Sequence, residues 1–206
     1  PTNWPIVEYC NCKIIGTISR RSLLHELARP TTSLFCTYVA FGSVTLFYQN
    51  QFNELALGLD LANGPFLWVV RQDNKMANPY EFQGQNSKIV EWAPQQKVLS
   101  HPAIACFISH CGWNSSIEGL SSGVPFLCWP YFADQIYNKS YIRDELKVGL
   151  GLNSDGSGLV SRWEIRNKLD QLLVVILLLI QLSCPSSYGI PYHEFTKYDI
   201  IKAHKL

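Results

Sequence analysis

The stretch IACFISHCGWNSSIEGLSSGVPFLCW, residues 104–129, decides the fold. Ile104 to Ser109 is a short apolar run, Ser115 to Ser122 reads as a helix stopped by Gly123, and Val124 to Trp129 is apolar again. An apolar run without polar alternation marks a strand covered on both faces, and such strands belong to parallel sheets.

The same alternation extends outward. Upstream, Leu34 to Phe41 (LFCTYVAF) predicts a buried strand ending in the tight Gly42-Ser43 loop. Gln51 to Ala62 predicts a helix, with Phe52, Leu55, Ala56 and Leu59 on one face and Asn63-Gly64 as its stop. Phe66 to Val70 and Lys88 to Trp92 predict strands, separated by a polar loop over 72–87. Pro94 to Leu99 predicts a short helix with proline at a permitted early position. Downstream, Asp134 to Lys147 predicts a helix. Ser161-Arg162-Trp163-Glu164 is a capping box that starts a last helix near 162, with Ile165, Leu169, Leu172, Leu173 and Ile176 on one face. The expected fold is α/β, a Rossmann-like parallel sheet with helices on both faces. Ligands of such sheets bind beyond the carboxyl ends of the strands.

Composition narrows the function classes. Of 206 residues, 47% are apolar and 16% charged, so the chain can build a core and is not a disordered segment. A net charge of +1 argues against nucleic-acid binding by phosphate neutralisation. Seven cysteines at irregular spacing include no CxxC pair, which leaves out a zinc ribbon or thioredoxin motif and suits a reducing, cytoplasmic setting. Cys36, Cys106 and Cys128 lie in apolar runs and are expected as buried small hydrophobes. The apolar run Leu172 to Leu182 is eleven residues, short of the ~18–20 needed to span a bilayer.

The chemistry concentrates between Trp92 and Gln135. His110 is expected at the carboxyl end of a strand, and Gly112 permits close approach of backbone to a ligand. Asn114 or Ser115 falls at a helix N-terminus, where free N–H groups and the helix dipole attract an anion. Glu118, one turn on, is placed to accept bonds from ribose hydroxyls, and Trp92 offers a flat face to a base. Taken singly, each has a bland explanation: a surface or capping histidine, a core tryptophan beside proline, an ordinary helix cap. Their order and density point to a nucleotide-diphosphate site.

The run WAPQQKVLSHPAIACFISHCGWNSSIEGLSSGVPFLCWPYFADQ, 44 residues from Trp92 to Gln135, resembles the plant secondary-product glycosyltransferase signature without a gap. That signature marks UDP-dependent glycosyltransferases acting on small molecules. The resemblance extends upstream through AFGSV, ELALGL and FLWVVR, and downstream through NKSYI, KVGLGLN and LVSRWEIRNKLDQLL, so residues 34–173 are family-like. It implies the C-terminal, donor-binding domain of the two-domain GT-B fold. It further implies that Trp92 stacks on uracil while the Ala93 backbone bonds its edge, that Gln95 touches the ribose, and that Glu118 holds the ribose hydroxyls. His110, Asn114 and Ser115 would bind the diphosphate, with Ser43 helping. Trp113, Asp134 and Gln135 would read the sugar, and glutamine at the last position goes with UDP-glucose. No Asp-x-Asp motif occurs, which fits a leaving-group site without metal. The expected partners are a UDP-sugar donor and a small hydroxylated acceptor, with no nucleic acid and no membrane span.

The family's catalytic histidine and its partner aspartate belong to an N-terminal domain, which this chain is expected to lack. Its first residue is Pro1, not Met, and residues 20–33 do not match the family's pattern. His25, His101, His193 and His204 are no substitutes, so no catalytic base is nominated. Residues 1–33 read as a divergent linker and 174–206 as a divergent apolar and irregular tail. The rival expectation is a non-catalytic remnant that binds UDP-sugar or a partner without transfer. A membrane-bound animal-type relative is disfavoured by the short apolar run and the sparse lysines after it.

Overall fold

The structure, a computed structural model, describes residues 36–43, 45, 47–71, 87–101 and 103–182, with side chains of the last helix described as far as Ile176. The expectations for residues 1–33, the loop 72–86 and the chain beyond Leu182 lie outside the described residues.

Six strands form one parallel sheet: β1 (Cys36–Ala40), β2 (Phe66–Val69), β3 (Lys88–Val90), β4 (Ile104–Ser109), β5 (Phe126–Cys128) and β6 (Gly149–Gly151). Their order across the sheet is β3-β2-β1-β4-β5-β6. The chain winds outward from β1 to β3, then crosses back to β4 on the other side of β1. The β1–β4 boundary is therefore the topological switch point, where the loops leaving two adjacent strands diverge and open a crevice. A bulge sets Cys36 opposite Ile104 but Thr37 opposite Cys106, and from there the strands run level to Ala40 opposite Ser109. The Gly42 and His110 loops consequently emerge side by side.

Helices cover both faces, as the alternation predicts. On one, α1 (Gln49–Leu61) and α5 (Arg162–Leu182) pack together, burying Phe52, Leu55, Leu59, Ile165 and Leu169 against Val39, Trp68 and Ile108. A Cβ on Gly58 would sit 2.9 Å from Ile165 Cβ, so the small residue lets these helices approach. On the other face lie α2 (Gln95–Ser100) and α3 (Trp113–Ser121), followed by α4 (Gln135–Ser140) and a π-helical turn, Tyr141–Glu145. There Val98, Leu99 and Ile142 bury against Tyr38, Phe107 and Phe126. Each such side chain contributes roughly 1.5–3 kcal/mol on full burial, so these two apolar layers, rather than the surface ion pairs, carry the stability. Gly119 fixes the height of α3: a Cβ there would lie 2.4 Å from Phe126 Cζ, so any larger residue lifts the helix, and its N-terminus, off the sheet.

Two expectations change, and the structure adds detail at two further places. The helix predicted over 134–147 closes earlier, as α4 and the π turn, with Leu146 N–H donating to Tyr141 O at 2.9 Å. Lys147, at φ 55°, ends it in the left-handed region. Strand β6 has no apolar run to announce it, because Gly149 must lie flat against Phe126, 2.9 Å from its Cβ and carbonyl oxygen to an added Cβ. The capping box forms by half: the Glu164 N–H donates to Ser161 Oγ at 3.2 Å, while the Glu164 carboxylate accepts from the Asn153 N–H and side-chain amide instead. Helix α5, expected to start near 162, runs unbroken to Leu182. No helix among the described residues is long and apolar enough to cross a membrane.

Candidate functional site

At the switch point, β4 ends in Ser109 and the chain turns through His110, Cys111 and Gly112 into α3. Cys111 is fully buried at φ 62°, a backbone region that costs a side-chain-bearing residue roughly 1–2 kcal/mol. The turn is held against that strain. Cys111 N–H donates to Ser109 Oγ at 3.1 Å, its thiol donates to Ser109 O at 3.5 Å, and its carbonyl accepts from Asn138 Nδ2 at 2.9 Å.

This turn aims the His110 imidazole between two glycines. A Cβ added to Gly42 would lie 2.6 Å from His110 Nε2, and one added to Gly112 2.4 Å. Only hydrogen atoms fit at both positions, and Gly42 is also at φ +69°. Burial holds the imidazole below its ordinary titration range, opposed by the Asp134 carboxylate and the Ala40 carbonyl. His110 is therefore neutral at pH 7, with its Nδ1 buried and making no hydrogen bond of good geometry.

Helix α3 starts at Trp113, with Gly112 as its N-cap and no side-chain cap. Asn114 and Ser115 are expected at this helix N-terminus; the helix opens slightly earlier than the predicted Ser115, and neither residue is its cap. Both lie in the first turn, and the first intrahelical bond runs from Ser116 N–H to Gly112 O at 2.9 Å. The N–H groups of Trp113, Asn114 and Ser115 thus have no intrahelical acceptor and open beside His110. Trp113 and Asn114 are exposed, as is Ser43 across the crevice, next to Gly42.

A second cluster sits one turn along α3. Gln95 Nε2 donates to Ser115 Oγ at 2.9 Å and to Glu118 Oε2 at 2.8 Å. Gln96 Nε2 donates to Glu118 Oε1 at 3.2 Å. The buried Tyr38 hydroxyl donates to Gln95 Oε1 at 3.4 Å. Burial, and next the Glu118 charge, push the Tyr38 phenol well above its ordinary range, so it stays a donor. Sequence reasoning had named Gln95, Ser115 and Glu118; the geometry brings them into contact and adds Tyr38 and Gln96. Trp92 and Ala93 precede α2 at the end of β3, the indole 65% exposed and Ala93 buried.

Asp134 and Gln135 begin α4 after the loop from β5. Asp134 is exposed and accepts from Asn138 Nδ2 at 2.9 Å. Asn138 thereby ties Asp134 to the Cys111 carbonyl, a link with no sequence signal beyond a polar residue one turn into a helix. Gln135 is buried, and its Oε1 accepts from the Tyr131 N–H at 2.7 Å and the Phe132 N–H at 3.1 Å. Its carbonyl thus holds a loop in which Ala133 sits at φ 56°, leaving the amide NH₂ as the group available to a ligand. Among the described residues, no group of three or more His, Cys, Asp or Glu is placed to hold a metal ion.

The sequence and the fold are similar to those of plant glycosyltransferases. The chain is 50% identical over 136 residues to UDP-glycosyltransferase 83A1 of Arabidopsis thaliana, covering 66% of this chain and 28% of that protein. The crystal structure of Os79 from O. sativa in complex with UDP superposes with a TM-score of 0.65 at 31% identity, covering 76% of this chain and 35% of Os79. Phytolacca americana UGT2, complexed with UDP-2-fluoro-glucose and pterostilbene, gives a TM-score of 0.62 at 37% identity, covering 75% and 35%. The chain spans about a third or less of the length of these plant relatives. Residues 18–161 match the profile of the UDP-glucoronosyl and UDP-glucosyl transferases, and the chain belongs to that family.

Proposed function

We propose that this chain supplies the UDP-sugar half of an inverting, metal-independent glycosyltransferase that moves a sugar, glucose, onto a hydroxyl of a small metabolite. The observation that carries the reading is the convergence of His110, the Gly42-Ser43 loop and the open N-terminus of α3 at one switch point, with Glu118 one turn away. The diphosphate lies against His110, Ser43 and the N–H groups of α3. There fixed donors and the helix dipole stabilise the negative charge that grows on the departing UDP. Glu118 and Gln95 hold the ribose, and Trp92 and Ala93 hold the uracil. Trp113, Asp134 and the Gln135 amide face the sugar.

The acceptor and the base that takes its proton belong to a second domain, in the reading that gives this chain residues 34–173 as its donor domain. Exposed apolar side chains at the start of α3, along α4 and at the start of the π turn offer such a domain a surface: Trp113 at 64%, Ile136 at 54%, Tyr137 at 80% and Tyr141 at 57% exposed. Alone, the chain binds donor and does not transfer; the setting is cytoplasmic.

Calorimetry tests the donor site. UDP and UDP-glucose bind the wild-type chain, and His110→Ala and Glu118→Ala each weaken binding tenfold or more. Equal affinities for wild type and both variants refute the assignment. Robust glucosyl transfer to a phenolic acceptor by the chain alone refutes the division of labour.

A further inference from the structure

The Glu118 carboxylate is gripped at both oxygens by consecutive residues of α2. Gln95 donates to Oε2 at 2.8 Å and Gln96 to Oε1 at 3.2 Å. A side chain with three rotatable bonds is thereby held in one orientation relative to the crevice. A carboxylate oxygen has two lone-pair directions, so each oxygen retains one for a ligand hydroxyl. Gln95 itself has a defined amide orientation. Both its N–H bonds are directed, one at Ser115 Oγ and one at Glu118, so its carbonyl must face the other way. What it meets there is the Tyr38 hydroxyl, 1% exposed and able only to donate to a carbonyl. Flipping the Gln95 amide would set its carbonyl against the carboxylate and its NH₂ against the phenol proton.

We propose that Tyr38 and Gln96 are positioning residues of the donor site: Gln96 holds one oxygen of Glu118, and Tyr38, by fixing the Gln95 amide, secures the hold on the other. The device prepares Glu118 for a vicinal diol such as that of ribose, and this use of it rests on the donor-site reading above. Neither residue needs to touch the nucleotide. Tyr38 lies inside the sheet layer, and Gln96 acts through the carboxylate.

Two measurements on the full chain keep the proposal separate from the reading it rests on. In ligand-free protein, NMR of the side-chain amides should show that Glu118→Ala shifts the signals of both Gln95 and Gln96. Tyr38→Phe should shift Gln95 and leave Gln96 in place. Unmoved glutamine signals overturn the network whatever the ligand.

Calorimetry then compares UDP with its 2′,3′-dideoxyribose analogue. Gln96→Leu and Tyr38→Phe are expected to weaken UDP binding threefold to tenfold and to leave the analogue's affinity within twofold of wild type. The Tyr38→Phe effect should vanish in a Gln95→Leu background. Equal losses for both ligands mean a general structural defect and overturn the positioning role, as does unchanged UDP affinity while Glu118→Ala weakens it. If wild type binds no UDP while the amide shifts appear as expected, the donor-site reading fails and the use proposed for the clamp fails with it, but the clamp on Glu118 stands.

Discussion

Gln51 bonds to Val160 as a neighbouring strand would. Its Nε2 donates to the Val160 carbonyl at 2.8 Å, and its Oε1 accepts the Val160 N–H at 2.9 Å. The contact is buried and joins residues 109 apart in sequence, tying α1 to the segment that leads into α5. Replacing Gln51 by leucine keeps the bulk and strands two buried backbone groups. We expect a loss of roughly 2–4 kcal/mol in urea unfolding, with an unchanged denaturant slope.

Glu54, one turn along α1, makes the neighbouring tie. Its carboxylate accepts from the Arg162 N–H at 2.6 Å and pairs with the Arg162 guanidinium at 2.5 Å, at the first residue of α5. Hydrogen bonding from the Arg162 side chain holds Glu54 below the ordinary glutamate range. The unfolded chain therefore binds more protons in that window. The stabilisation is complete above the ordinary glutamate value and is lost as pH falls through the lower, folded one. Glu54→Gln should cost about 1 kcal/mol at pH 7 and make stability less sensitive to acid between pH 5 and 3, read from urea melts across that range.

The glycine slot around His110 predicts a selective loss. Gly112→Ala places a methyl on the imidazole nitrogen, and Gly42→Ala does the same at a positive φ. Each should lower UDP affinity at least tenfold by calorimetry. Gly42→Ala should also lower the melting temperature more, because an alanine at positive φ adds roughly 1–2 kcal/mol of strain to the clash. Gly156→Ala, in open space, serves as the neutral control.

Burial keeps His110 neutral, and an arriving diphosphate favours its charged form. Binding should therefore take up a proton. UDP affinity is expected to rise as pH falls from 8 toward 6.5, and at pH 7.5 the observed binding enthalpy should differ between buffers of different ionisation enthalpy. In His110→Gln the uptake should disappear. Stability without ligand runs the other way: a depressed folded value means the unfolded chain binds more protons near pH 6, so the His110 contribution weakens there.

Much of this was legible in the sequence, for a physical reason. Strands covered on both faces must be apolar throughout, so β1, β2, β4 and β5 stand out as runs, and α1 shows its buried side in Phe52, Leu55, Ala56 and Leu59. β6 was not legible, because Gly149, pressed against Phe126, and Gly151, beside Lys139, carry no apolar signal. The π turn was hidden because it is a single five-residue turn that buries only Ile142, too little pattern to show its wider period. In the site, His110 and the start of α3 could be placed from the strand-turn-helix order. Tyr38, Gln96 and Asn138 act through partners distant in sequence or across helices, and only the packing of α2 and α4 on α3 reveals them.

The hold that Gln135 keeps on its own loop bears on exchange experiments at that position. Its carbonyl is the peg on which the Tyr131 and Phe132 amides hang, so the residue is a structural member before it meets any sugar. Gln135→His removes the peg along with the amide, and an altered choice of sugar would then reflect a remodelled wall as much as a changed contact. If Gln135 reads the sugar as proposed, a clean test of that role pairs its replacement with a second substitution that re-anchors residues 131–133.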